Sequence, residues 1–315
     1  MKIKKAKGGT DMKHVTVVGS HTSAYLMHCP RLPTRGEFIM GDSFNETLDG
    51  GKGSNQALAL ARLGAPVDFV GVVGGDKAGE SFRRYFTDNG VNLDYTVTVP
   101  DGKTAMGIAF IDPNGQIIGA TDPGVLKSMT RAHVDAAEKS IEGCSVLLTQ
   151  LEIPSDVALY ACRVAKRYEK VTILNPAPAD HMTLDHIRNV DILTPNEPEA
   201  KLLLGIDPQA EMTQEDLAIE YTARSLPFAT VITLGSEGAM IVSQGKVRRV
   251  PCPKVQAVDT SGAGDCFNAA VAYCIAQGKS LLSAVEFAVK AASFSVMREQ
   301  VWPSYPTVGQ IIQPG

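Results

Sequence analysis

Two short stretches combine residue types that could carry out phosphoryl chemistry. The first is "DTSGAGDCFNAA", in which Gly262, Ala263 and Gly264 precede Asp265 at the start of an apolar helical pattern. Small residues over a first helical turn leave unpaired backbone N–H groups open to an anion, and the helix dipole adds to the attraction. A carboxylate beside such a cradle is not there to bind phosphate, because like charges repel. It fits a reaction in which amides stabilise a transferring phosphoryl group while Asp265 takes the proton of an attacking hydroxyl. The weaker alternative for the bare pattern is a helix-capping Asp with glycines for close packing.

The second stretch, "GGKGSNQALALARLGA", is a glycine turn that opens a helix. Gly50, Gly51 and Gly53 would let backbone amides approach a ligand, and Lys52 and Asn55 would add fixed polar contacts. A tight turn with a helix cap is the alternative. It is no dinucleotide fingerprint, since Gln56 stands where the third glycine belongs, and no P-loop, since Gly53 follows Lys52 where Ser or Thr is required. Farther along, "TPNEPEA" sets Asn196 and Glu199 at helical i, i+3 spacing. An amide and a carboxylate there suit a hydrated Mg²⁺ near phosphates, or simply cap a helix. "TLGSEGA" adds Thr233, Gly235 and Ser236, small donors suited to nucleotide phosphates or to an ordinary loop.

The elements that would position these residues follow from the hydrophobic pattern. Short β-branched runs such as "HVTVVGS", "SVLLTQ", "KVTILN" and "TVITLG" alternate with amphipathic segments such as "DVALYACRVAKRYE" and "AVEFAVKAASFSVM". Continuous apolar strands between helices predict an α/β fold, a doubly wound, mostly parallel sheet covered on both faces. In such a sheet ligands bind beyond the carboxyl ends of the strands, where "QLE", "NPAPA", "TPNEPE" and "TLGSEG" all fall. Residues 22–49 and 103–121 break the rhythm with turn signals such as "DPNGQ". They predict small antiparallel strands forming a cover, or β lid, on a single domain spanning 14–315.

Bulk composition points to small-molecule chemistry. The 315 residues are 44% hydrophobic and 20% charged, with net charge −4, so there is no electrostatic footprint for nucleic acid or an anionic membrane. Six scattered cysteines form no CxxC pair or zinc-spaced cluster, which predicts reduced thiols and a cytoplasmic protein. No apolar run reaches the ~20 residues a membrane helix needs. The basic opening, residues 1–13, reads as a disordered tail.

Taken together, "GGKGSNQA", "GGDKAGE", "LLTQLE", "LNPAPA", "TPNEPEA", "TLGSEG", "VDTSGAGDCFNAA" and "WPSYP", in that order, resemble the ribokinase family of PfkB-type carbohydrate kinases. The resemblance covers residues 14–306. It implies a ribokinase-like fold and ATP-dependent transfer to a sugar hydroxyl, with a β lid that often forms a homodimer contact. It also implies roles: Asp265 as base, Gly262, Ala263 and Gly264 as anion hole, and Gly50, Gly51, Lys52, Asn55, Glu152 and Thr22 around the sugar. Asn196 and Glu199 would serve Mg²⁺ and phosphate; Asn196, Thr233, Gly235 and Ser236 the nucleotide; Asp259 and Ser304 an activating monovalent cation, usually K⁺.

Three departures concern what is bound. Thr22 and Ala24 stand where ribokinase-like chains carry an Asn and an Asp that grip sugar hydroxyls; losing such contacts costs discrimination. "PGVL" replaces Pro-Gly-Ala-Asn near the lid, and Gln300 replaces a glycine in the late loop, where a positive φ would be strained. A nucleoside or sugar-phosphate acceptor is the alternative, with Ala24 and Tyr25 packing a base or Lys52, Arg31 and Arg35 meeting a phosphate. A non-catalytic sugar-binding regulator is the more distant one, which the intact Asp265 and glycines argue against.

Overall fold

A computed structural model describes residues 14–114, 116–180 and 182–312. The expected tail of residues 1–13 lies outside the described residues.

The central strands bury both faces, as their unbroken apolar runs require. β1 (Val15–Val18) is buried throughout and pairs in parallel with β4 (Val67–Gly74) and β9 (Val146–Gln150). On the β9 side follow β10 (Val171–Asn175), β11 (Ile192–Leu193) and β12 (Ala229–Thr233), all parallel. β13 (Ala239–Ser243) and β14 (Lys246–Val250) add an antiparallel edge. On the other side β4 pairs with β5 (Val91–Asn92) and β6 (Thr96–Val99). Neighbouring residues on each strand enter opposite cores: Val17, Leu148, Ile173 and Val231 face one, Val18, Leu147, Leu174 and Ile232 the other.

The chain leaves β1 for β4 on one side and later returns to build outward from β9 on the other. β1 is therefore the topological switch point, and a crevice opens beyond its carboxyl end. The helix Ala263–Ala276 reaches this crevice with its first turn. Every residue from Asp265 to Ile275 is buried, because the helix packs against both Lys52–Arg62 and Leu281–Ser295.

A second sheet of four strands stands apart, in the order β3 (Ser43–Gly50), β2 (Thr22–His28), β7 (Ala105–Ile111), β8 (Ile117–Asp122). Its two outer pairings are antiparallel, but β2 and β7 run parallel, contrary to the all-antiparallel expectation. The physical reason is the long separation: a hairpin turn joins β7 to β8, while the whole β3–β6 segment intervenes between β2 and β7 and allows either direction. One face carries Tyr25, Met27, Phe44, Ile108, Phe110 and Ile118 by register, with Tyr25 stacked on Phe44 at 5.5 Å. Phe44, Ile108 and Ile118 are exposed. No helix among the described residues is long and apolar enough to cross a membrane.

Candidate active site

Gly262 is the N-cap of Ala263–Ala276 and takes a left-handed conformation, φ 71°. A Cβ there would meet Val301 Cγ1 at 2.4 Å, so glycine is required both by conformation and by space. Gly264, by contrast, is exposed, and a Cβ on it would have nothing within 4 Å. Ala263 N–H bends back to Thr260 O at 3.3 Å, and Cys266 N–H makes the first regular helical bond, to Gly262 O at 2.9 Å. Among the described residues no acceptor faces the amides of Gly264 and Asp265. Of the Gly262–Gly264 cradle read from the sequence, the Ala263 N–H is engaged within the turn and the Gly264 N–H is open.

Asp265 follows directly and is buried, 8% exposed. Its two oxygens accept from Asn55 Nδ2 and Gln56 Nε2, each at 2.9 Å. Burial pushes its carboxyl up to about 6, against the opposing pull of Lys52 and of the two amides. A carboxylate with that affinity for a proton is matched to general-base work near neutral pH.

The glycine turn at residues 50–53 behaves differently from expectation. Gly51 has φ 82°, and a Cβ on it would lie 2.7 Å from Thr22 N; on Gly53 it would lie 2.6 Å from Ser20 N. These glycines let a helix start pack against the chain leaving β1, and Gly53 N–H reaches Ser20 Oγ at 3.5 Å. Lys52 N–H donates to Glu152 Oε2 at 2.7 Å and Ser54 N–H to Ser20 O at 2.8 Å. Ser20 Oγ donates to the same Glu152 oxygen at 2.6 Å. The positive helix end has taken a carboxylate of the protein itself.

Lys52 Nζ lies 3.6 Å from Glu152 Oε1. Burial works against its charge, but Glu152, Asp265 and Glu199 together raise its pKa. The ammonium therefore stays charged among three carboxylates. Asn55 is committed to Asp265 on one side and accepts from Trp302 Nε1 at 2.8 Å on the other. Each end of its amide makes one hydrogen bond, which leaves a second N–H and a second lone pair for a ligand.

Thr22 abuts the turn: a Cβ on Gly50 would lie 2.3 Å from its carbonyl oxygen. The face of the small sheet that Thr22 shares continues with Ala24, opposite Gly107, and Leu26, opposite Ala109. The same face carries Thr47 and Asn45 opposite Ala24 and Leu26, and Thr121 opposite Gly107, so polar side chains surround the position where a carboxylate reader was looked for.

Asn196 caps Glu197–Leu203 and forms a reciprocal pair with Glu199: Glu199 N–H donates to Asn196 Oδ1 at 2.8 Å, Asn196 N–H to Glu199 Oε2 at 2.9 Å. Burial raises the Glu199 carboxyl above its ordinary range, opposed by the Asn196 amide and Lys52. Glu199 Oε1 has no partner among the described residues, so one oxygen remains for a hydrated Mg²⁺. The described residues contain no group of three His, Cys, Asp or Glu that would cage a metal alone, which suits an ion brought in on phosphates. Thr233 pairs with Asn196 in a parallel bridge, and Gly235 and Ser236 follow it, exposed. The residues read for nucleotide thus meet at adjacent strand ends.

Asp259 and Ser304, read for a monovalent cation, both lie at the late loop. Asp259 accepts from the amides of Ser261 at 2.9 Å and Gln300 at 3.2 Å, and Ser304 Oγ donates to Val301 O at 2.7 Å. Both fasten the late loop. Gln300 itself adopts φ 68°, so the loop keeps a glycine-like conformation with a strained residue in it.

Sequence reading missed the buried amides around Asp265. Gln56 Oε1 accepts from Gln150, and Gln56 Nε2 also reaches Asn175 Oδ1 at 3.2 Å. Asn175 Nδ2 donates to Thr194 O at 3.1 Å, Thr194 donates to Asn268, and Asn268 Nδ2 donates to Gly264 O at 2.9 Å. The available signal was Gln56 itself, noted only as a failed glycine. All six cysteines are unpaired.

The pfkB family carbohydrate kinase model matches residues 12–308. Ribokinase of Bacillus subtilis is 35% identical over 304 residues, covering 95% of this chain and 98% of that protein. Ribokinase of Haemophilus influenzae is 32% identical over 295 residues, covering 94% and 96%. The structure of Arabidopsis thaliana ribokinase complexed with ribose and ATP superposes with a TM-score of 0.87 at 30% identity, covering 96% of this chain and 98% of that one. Fold, order of motifs and near full-length similarity agree: the chain belongs to the pfkB family of carbohydrate kinases.

Proposed function

We propose that this kinase transfers the γ-phosphoryl group of ATP to a hydroxyl of a ribose-like or modified sugar, with Asp265 as general base. The observation that carries the reading is the pairing of a buried carboxylate, titrating at about 6, with two open amides on one helix turn. The acceptor hydroxyl gives its proton to Asp265 as its oxygen attacks the γ-phosphorus, and the bond to the ADP oxygen breaks. The amides of Gly264 and Asp265 meet the charge on the phosphoryl oxygens. Lys52 keeps a positive charge beside Asp265, which favours the carboxylate before the proton moves. Mg²⁺, when bound near Glu199 and Asn196, would neutralise phosphate charge. Thr233, Gly235 and Ser236 would seat the nucleotide.

Thr22 and Ala24, standing where ribokinase-like chains carry an Asn and an Asp, support a modified sugar over ribose itself. The exposed apolar face of the small sheet supports a homodimer in which two such sheets meet, and the unpaired thiols fit a reducing, cytoplasmic setting. The test is ADP release from ATP and Mg²⁺ with ribose, deoxyribose, ketohexoses, sugar phosphates and nucleosides, with and without K⁺. Release with a deoxy or substituted pentose is expected; a chain that binds sugars yet turns over none of the panel would be a binding protein.

A further inference from the structure

We propose that Trp302 is a positioning residue for the reaction: through Asn55 it fixes which way the amide next to Asp265 points. An indole N–H only donates, so it accepts as partner the oxygen of Asn55 and never its nitrogen. With Oδ1 held by Trp302 at 2.8 Å, Nδ2 must face Asp265, where it donates at 2.9 Å. The opposite rotamer would set an amide oxygen against a carboxylate. The indole cannot drift from this duty, because it is 2% exposed, stacked on Tyr85 at 4.8 Å and edge-on to Phe86 at 5.3 Å. Its backbone N–H reaches Asp49 Oδ2 at 3.4 Å, and the preceding Gln300 is tied to Asp259. The late loop is thus connected, residue by residue, to the base.

The inference rests on Asp265 being the base. A firmly oriented Asn55 amide favours the ionised carboxylate; a free one can rotate and withdraw that support. The other groups facing Asp265 are Lys52 and Glu152 from the sugar side, Glu199 from the adjoining helix start, and Cys266 and Tyr305 behind it. None of them contacts Trp302 Nε1, so removing that N–H alters the base through Asn55 alone.

Trp302 is the single tryptophan of the chain, so biosynthetic replacement of tryptophan by benzothienylalanine, which has sulfur in place of N–H, changes this residue alone and keeps its shape. The substituted protein should fold normally and show an acidic limb of kcat moved up by roughly half to one pH unit. Its kcat at neutral pH should fall by up to about twofold and at pH about 5 by roughly three- to tenfold, with KM for ATP unchanged. Trp302→Phe should repeat the shift, and adding Asn55→Ala to the substituted protein should bring no loss beyond that of Asn55→Ala alone. An unmoved pH profile in a folded substituted protein, with turnover abolished by Asp265→Asn, overturns the proposal and leaves the base assignment standing. Turnover that survives Asp265→Asn overturns the base assignment and the proposal together.

Discussion

At the start of the helix Lys52–Arg62 the amides of Lys52 and Ser54 are taken by Glu152 and Ser20; at the start of Ala263–Ala276 the amides of Gly264 and Asp265 have no acceptor among the described residues. Both starts are glycine-rich, both sit at the carboxyl edge of the sheet, and both present a positive dipole end. The difference is what stands opposite. Behind the first lies the chain leaving β1, close enough that only glycine fits; in front of the second lies open space. Glycine therefore has two uses here, packing in one case and clearance in the other. A helix end whose amide is taken by Glu152 has little attraction left for phosphate, whereas the other, with Asp265 in its first turn, keeps two amides for a ligand.

The sharpest way to break this contrast is Asp265→Asn. It should lower kcat by roughly 10² to 10⁴ while nucleotide affinity, measured by calorimetry, stays close to that of the parent. Full turnover would remove the catalytic meaning of the open helix start.

A matched pair of glycine substitutions comes next. Gly264→Val fills the cleared space and should cost on the order of 10² in kcat, with thermal unfolding little changed. Gly53→Ala should instead destabilise the fold by roughly 1–3 kcal/mol, since its Cβ meets backbone at 2.6 Å. If the two variants exchanged phenotypes, the division between packing and clearance would be wrong.

The acidic limb of kcat should fall about tenfold per pH unit below about 6, because the base must be ionised and burial has raised its pKa. The linked effect on folding has the opposite sense. A raised carboxyl favours the folded state below its unfolded pKa near 3.8, and that contribution is lost as pH rises through about 6. A pH–rate profile with no break between pH 5 and about 7 would contradict the assignment.

The smallest effect is expected in the late loop. Gln300→Gly should raise stability by up to about 1 kcal/mol, since strain at φ 68° outweighs the entropy cost of glycine. Chemical denaturation would measure it, and a loss of stability would show that the Gln300 side chain contributes a contact of its own.

Much of the molecule was legible from its residues. Apolar runs such as "VTVV" and "VTILN" announce buried parallel strands because burial on both faces leaves no polar alternation, and their order implies the crevice beyond β1. Asp265 was legible because a carboxylate beside glycines at a helix start has few chemical uses. Asn55 was legible as a site residue, but its contact with Asp265, and Gln56 altogether, were not, since adjacent positions on a helix point in different directions and only packing against Asp265 brings both amides to it. The direction of β2 against β7 was also hidden, as strand pairing across a long intervening segment is a tertiary choice.

The sequence by itself determined the layered fold and singled out Asp265 beside its glycines as the candidate base, because these depend on local pattern and on which residue types can do the chemistry. Only the tertiary structure decided which glycine turn remains open, that Glu152 closes the other, and that Trp302 reaches Asn55 from 247 positions away. Hydrogen bonds between distant residues depend on distances of about 3 Å that no local pattern encodes.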